Sequence, residues 1–89
     1  MSEDTNVVTI RVLFFATTKD LVGKKEDTLH VPSVIPASDL LHLITKQYQL
    51  EHLKDNVILA LNEDWVDLNS VLSLKNTDEI AVIPPLSGG

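Results

Sequence analysis

Val7-Val8-Thr9-Ile10-Arg11-Val12-Leu13-Phe14-Phe15 reads as a strand, because β-branched and aromatic side chains dominate it. Its two parities are unequal. Val8, Ile10, Val12 and Phe14 are wholly apolar and are expected to face a core. Thr9, Arg11, Leu13 and Phe15 leave the other face half wet, with a greasy end. A second strongly apolar stretch, Glu79-Ile80-Ala81-Val82-Ile83, lies near the far end of the chain. Pro84 and Pro85 stop it, since proline cannot donate to a strand ladder. The two most apolar strands belong together, so they are placed side by side and parallel at the centre of one sheet.

The segments between them complete the fold. Thr17 to Gly23 reads as a turn or single helical turn closed by glycine, and Glu26 to Val31 as a strand forming a hairpin with the first. Pro36-Ala37-Ser38-Asp39 opens the clear helix, with proline at the first helical position and Asp39 near the positive end of the dipole. Leu40, Leu43, Ile44 and then Gln47 or Tyr48 trace one buried stripe, which Leu41 widens. Gln49 to Asn56 leads to a strand at Val57 to Leu61; Asn62-Glu63-Asp64 turns the chain, and Trp65-Val66 returns as a short strand. Val71 to Leu74 carries no decisive pattern, and Lys75-Asn76-Thr77-Asp78 is a turn. One amphipathic helix needs one sheet face to cover it. The result is an α+β roll, a mixed sheet with one main helix packed on one face. The crossover through the helix is expected to be right-handed and to bring a parallel pair together.

With 89 residues the chain is expected to form a single domain, residues 1–5 being polar and mobile and residues 84–89 an extended tail. A net charge of −6 disfavours nucleic acid and suits a basic surface on a partner protein. No apolar run is long enough to span a membrane, the first residues are unlike a targeting signal, and there is no cysteine; a cytosolic location is expected. The absence of cysteine also excludes a thiolate metal site. His30, His42 and His52 match no zinc spacing, so no metal is expected, and the acidic pairs Asp64/Asp67 and Asp78/Glu79 sit where turn residues are common. The only Trp, Trp65, is either an anchor for a partner or a cover over the core rim.

What chemistry remains lies in Pro84-Pro85-Leu86-Ser87-Gly88-Gly89. A terminal Gly-Gly arises by chance in roughly one sequence in two hundred. Two residues without Cβ leave the main chain thin enough for a narrow channel, and six extended residues reach about 20 Å. The tail reads either as a frayed end or as a carboxylate presented to another protein's active site. A carboxylate resists nucleophiles; condensed with ATP to an acyl adenylate it accepts sulfur, giving a thiocarboxylate, or a lysine amine, giving an isopeptide. Both routes need a separate activating enzyme, and the chain has no catalytic constellation of its own.

Val12-Leu13-Phe14-Phe15-Ala16, then Lys19-Asp20-Leu21-Val22-Gly23, then Asp78 through Gly89, resemble the MoaD-type sulfur carriers, the small subunits of molybdopterin synthase, over nearly the whole chain. The family usually has glycine before the Asp-Glu pair, where this chain has Thr77. The resemblance implies a ubiquitin-like β-grasp fold. It implies that Gly89, with Gly88 before it, is adenylated by an E1-like adenylating and sulfurtransferase enzyme that consumes ATP, then thiocarboxylated. It implies that the chain itself binds no cofactor. The tail, Pro84 to Ser87 included, would enter a MoaE-like large subunit in a heterotetramer, where sulfur passes to cyclic pyranopterin monophosphate to build the dithiolene of the molybdenum cofactor. Phe15, Ile83 and Trp65 are implied as interface residues. The alternatives are a ubiquitin-like modifier, a carrier for tRNA or thiamine thiolation, or an adaptor whose glycine tail is incidental.

Overall fold

A computed structural model describes residues 6–84. Residues 1–5, expected to be mobile, and Pro85, Leu86, Ser87, Gly88 and Gly89 of the expected tail lie outside the described residues. The elements are β1 (Val7–Phe14), α1 (Ala16–Val22), β2 (Glu26–Pro32), β3 (Val34–Pro36), α2 (Ala37–Gln47), a 3₁₀ turn (Glu51–Leu53), β4 (Ile58–Leu61), β5 (Asp64–Trp65), β6 (Val71–Ser73) and β7 (Glu79–Ile83). Five strands form one mixed sheet in the order β2-β1-β7-β4-β5. Strands β1 and β7 are central and parallel, with Val12 opposite Ile80 and Phe14 opposite Val82. This is the ubiquitin-like β-grasp arrangement.

The parity of β1 decides what the sheet buries. Ile10, Val12 and Phe14 are sealed from solvent together with Ile80 and Val82, and α2 lays Leu40 and Ile44 against them. Each fully buried aliphatic or aromatic side chain stabilises the fold by about 1.5–3 kcal/mol. Tyr48 closes one end, its ring meeting Phe14 edge-on at 4.8 Å and its hydroxyl donating to Asp27 at 2.9 Å.

Several sequence expectations are corrected. Strand β1 ends at Phe14, because Phe15 is the N-cap of α1, a seven-residue helix where a turn or single helical turn was expected; Gly23 caps it, as expected, in the left-handed region at φ 87°. Pro36 precedes α2 rather than opening it, since its ψ of 140° is extended and it pairs with Val71. The buried face of α2 is Ala37, Leu40, Leu41, Ile44 and Thr45, rotated away from Leu43, which is only half-buried. Val57 bonds back to Leu53, so β4 starts at Ile58, and β5 is Asp64–Trp65. Val71 to Ser73 resolves as β6, paired with β3 in a separate ribbon too short to show a period. The main-sheet strands before and after α2, β2 and β4, do run in one direction, but β1 and β7 lie between them, so the helix crossover does not itself make the parallel pair.

Thr77 stands where the family usually has glycine, and its φ is +77°. A β-branched residue is strained there. The turn is held regardless: Thr77 N–H donates to the Thr9 carbonyl at 3.2 Å, and Thr9 N–H donates to Asn76 Oδ1 at 2.8 Å. Left-handed backbone costs an L-residue about 1–2 kcal/mol, partly offset by the chain entropy that glycine loses. Thr77→Gly keeps the N–H and is expected to raise the melting temperature by about 4–8 °C, the shift for about 1 kcal/mol in a domain this size. Differential scanning calorimetry checks this, and an unchanged or lower midpoint contradicts it.

Candidate functional site

Cross-strand partners share a face, so the register of the sheet assembles its outer surface. Trp65 pairs with Ala60, Ala60 with Ala81, Ala81 with Leu13, and Leu13 with Glu26. These form one row across all five strands, on the face turned away from the core. In the next row Ile58 pairs with Ile83, and Phe15 follows the end of β1. Two alanines in mid-row leave a trough of about 250 Å³ between Trp65, Ile83, Leu13 and Phe15, with Glu63 and Glu79 at its edge. Trp65 is 71% exposed, Phe15 46% and Ile58 44%. Apolar surface gathered in one place rather than scattered makes this face the candidate docking surface. Trp65 does not cover the core rim; it stands out from the sheet.

The sequence explains why Trp65 is held there. Asn62 and Glu63 form a two-residue loop with φ of 49° and 74°, the positive-φ hairpin geometry that asparagine tolerates. Asn62 also ties the hairpin to β7. Its N–H donates to the Glu79 carbonyl at 2.8 Å, its Oδ1 accepts from Glu79 N–H at 3.0 Å, and its Nδ2 donates to Asp78 at 3.1 Å. Asp78 is almost wholly buried and further accepts from Lys75 N–H at 2.9 Å, with the Lys75 ammonium at 3.4 Å. Burial alone would raise its pKa. The Asn62 amide, the Lys75 N–H and the Lys75 charge outweigh burial and hold the carboxyl below its ordinary value.

A depressed folded-state pKa contributes stability above the unfolded value and loses it as pH falls through the folded value. Asp78→Asn is therefore expected to destabilise the neutral protein by about 1–3 kcal/mol, the cost of leaving buried donors poorly paired. The deficit relative to wild type should shrink below roughly pH 4. Urea melts at neutral and acid pH check this; a deficit of equal size at both would contradict it.

The polar border of the trough is a charged ladder. Arg11 donates to Glu79 at 2.7 Å and to Glu26 at 2.8 Å, and all three side chains are substantially exposed. The hydrogen bond and charge of Glu26, followed by the charge of Glu79, push the guanidinium pKa further up. Such surface pairs contribute only about 0–1 kcal/mol, so the ladder orients its members more than it stabilises the fold.

Of the residues expected at an interface, Phe15, Trp65 and Ile83 line the same trough. Pro84 follows Ile83, half-buried, and Pro85 through Gly89 lie outside the described residues. Leu13, Ala60, Ala81 and Ile58 complete the face. The odd parity of β1 signalled Leu13, but only the register reveals that the two alanines form the trough's floor. His30, His42 and His52 sit on separate elements, all exposed, and His30 Nδ1 lies 2.9 Å from the Thr9 hydroxyl. Among the described residues no cluster of three or more metal-ligating side chains occurs, and no helix is long and apolar enough to cross a membrane.

Residues 12–89 match the ThiS family. Molybdopterin synthase sulfur carrier subunits of Drosophila erecta and Drosophila ananassae are 44% and 46% identical, each over the full length of both chains. Among solved structures, a Pyrococcus furiosus protein assigned to molybdopterin converting factor subunit 1 is 27% identical, covers 89% of this chain and 99% of its own, and has a TM-score of 0.69. A Helicobacter pylori chain, solved as a complex of subunits 1 and 2 of molybdopterin-converting factor, shares the fold at TM-score 0.64 and 23% identity, covering 92% of this chain and all of its own. The small archaeal modifier protein 1 of Methanosarcina acetivorans shares it at TM-score 0.72 and 21% identity, covering 94% and 99%.

Proposed function

Since the chain belongs to the ThiS family, we propose that it is the sulfur carrier subunit of molybdopterin synthase, with the α-carboxylate of Gly89 as the group that bears sulfur. The single observation carrying this is that Phe15, Trp65 and Ile83 line one trough. That trough lies beside the strand whose continuation leads to Gly88-Gly89. The face adjoins Ile83, the last residue of β7, from which the chain continues to the glycines, so a partner that grips the face is positioned to receive them. Relatives aligned over their full length carry this role in their names, which supports the same reading.

The chemistry follows from the end group. An E1-like enzyme condenses the Gly89 carboxylate with ATP, releasing pyrophosphate and leaving an acyl adenylate. Attack at the carbonyl carbon by sulfide-level sulfur (HS⁻ delivered by the donor) expels AMP and gives a thiocarboxylate. In the large subunit the thiocarboxylate sulfur displaces an oxygen substituent from a carbon of cyclic pyranopterin monophosphate, a C–S bond forming as the C–O bond breaks, and a second thiocarboxylated carrier supplies the other sulfur of the dithiolene. Water hydrolyses the acyl–sulfur bond, and the Gly89 carboxylate returns. The ATP belongs to the activating enzyme. The chain's own contribution is to bind through its sheet face and to deliver the tail; the Helicobacter pylori complex of subunits 1 and 2 supports a two-subunit assembly of this kind.

A modifier reading has the same activation step but ends on a lysine amine, and the fold alone does not separate the two, since a small archaeal modifier shares it. The two are separated by incubating the chain with ATP, an activating enzyme and a sulfur donor, and then adding the large subunit and the pyranopterin. Dithiolene formation supports the carrier. Isopeptide adducts on other proteins, with no dithiolene, would replace it with the modifier.

A further inference from the structure

Helix α1 is exposed along most of its length, and among its residues only Thr18 is buried, with no measurable exposure. A valine would fill the same space, yet a buried hydroxyl must find partners. Thr18 Oγ1 accepts from Phe15 N–H at 3.1 Å, donates to the Phe15 carbonyl at 2.7 Å, and lies 3.2 Å from the Val82 carbonyl, so its one proton reaches two acceptors. The position is specific. The parallel ladder of β1 and β7 includes Arg11 N–H donating to the Asp78 carbonyl at 2.9 Å. Steps of two residues from that bond arrive at Phe15 N–H and the Val82 carbonyl, the two groups the hydroxyl joins. It is the last polar link on the β1 side of β7 among the described residues, because Ile83 faces Ile58 of β4 and Pro84 has no N–H.

We propose that Thr18 is a positioning residue for sulfur transfer: its hydroxyl fastens the docking anchor Phe15 to the end of the last strand, and so sets where residues 84–89 begin relative to a docked partner. The inference rests on the sulfur-carrier reading. Phe15 lies on the surface the partner grips, and Val82 is two residues before the proline pair. Held extended by a partner, six residues would span about 20 Å, so a swing of about 10° at their root would displace the far end by roughly 3 Å. Misplacing a reacting group by about 1 Å can slow a reaction about a hundredfold. Thr18 does not itself line the trough and touches none of the reacting atoms; it acts through the backbone of Phe15 and Val82.

The test compares Thr18→Val, which keeps the shape and removes the hydroxyl, with Thr18→Ser, which restores it. Affinity for the large subunit is measured by titration. Single-turnover sulfur transfer from the thiocarboxylated chain is then measured at saturating large subunit, at a temperature where circular dichroism shows every variant folded. For Thr18→Val the expected result is affinity within about twofold of wild type and transfer slowed about tenfold, with Thr18→Ser recovering most of the rate. A merely structural threonine would lower the melting temperature but leave the saturated rate unmoved. Thr18→Val at the wild-type rate, or Thr18→Ser as slow as Thr18→Val, overturns the positioning role while leaving the carrier reading intact. A wild-type chain that transfers no sulfur at all overturns the carrier reading, and the positioning role with it.

Discussion

Deleting Gly89 is expected to abolish sulfur transfer while leaving the melting temperature where it was. The reacting atom in this account is a main-chain end group, so the deletion leaves a carboxylate in place but withdraws it along the chain by about 3.5 Å. Reactants must approach to roughly 3–3.5 Å in aligned geometry, and each 1 Å of error can cost about a hundredfold. A withdrawal of that size puts the carboxyl carbon out of reach of both the activating enzyme and the pterin. Stability should not follow, because the buried core described here runs from Ile10 to Val82. Replacing Gly89 with a bulky residue should act in the same way, by blocking the narrow approach that two residues without Cβ permit. Activity and calorimetry on the same preparation check both halves. A variant that loses activity together with several degrees of melting temperature would place the tail in the fold rather than in the chemistry.

Trp65→Ala is expected to weaken binding to the large subunit by about 2 kcal/mol or more, and Phe15→Ala by more than about 1 kcal/mol. These losses correspond to roughly thirtyfold and fivefold in dissociation constant. The order follows from exposure and size. Trp65 is 71% exposed, the most of any large apolar side chain described, and it forms one wall of the trough over Ala60 and Ala81. Phe15 is 46% exposed, and its backbone is already committed to capping α1. Neither side chain belongs to the core, so both variants should melt close to wild type. Isothermal titration against the large subunit decides the matter. Unchanged affinity for Trp65→Ala would move the interface off this face.

The central pair of strands was legible because β1 and β7 are the most apolar stretches of the chain and rich in β-branched residues, and Pro84 marks where β7 stops. A period of two, once seen at Val8, Ile10, Val12 and Phe14, sets the inner face, and by default it sets the outer one. The Leu13 and Phe15 end of the apolar outer face was therefore readable before any register was known. The ribbon of β3 and β6 was not, since three residues show no period and Pro36 argues for a helix start as strongly as for a strand end. The burial of Asp78 could not be read either. An aspartate in a turn is ordinarily solvated, and its partner Asn62 lies in a different turn, 16 residues earlier. Thr18 left a faint signal, a hydroxyl three residues after the residue that caps α1, but its link to Val82 spans 64 residues and needs the fold. Ala60 and Ala81 are informative only together, because each is an unremarkable strand residue until the register makes them the floor of a trough.

The carrier reading stands or falls on where the sulfur resides. The chain is incubated with ATP, the activating enzyme and a sulfur donor, weighed intact, and then fragmented to locate the change. The account predicts one sulfur in place of one oxygen, confined to Gly89, and its disappearance when the large subunit and the pterin substrate are added. Sulfur found on any other residue, or an unmodified chain that still supports dithiolene synthesis, would contradict it.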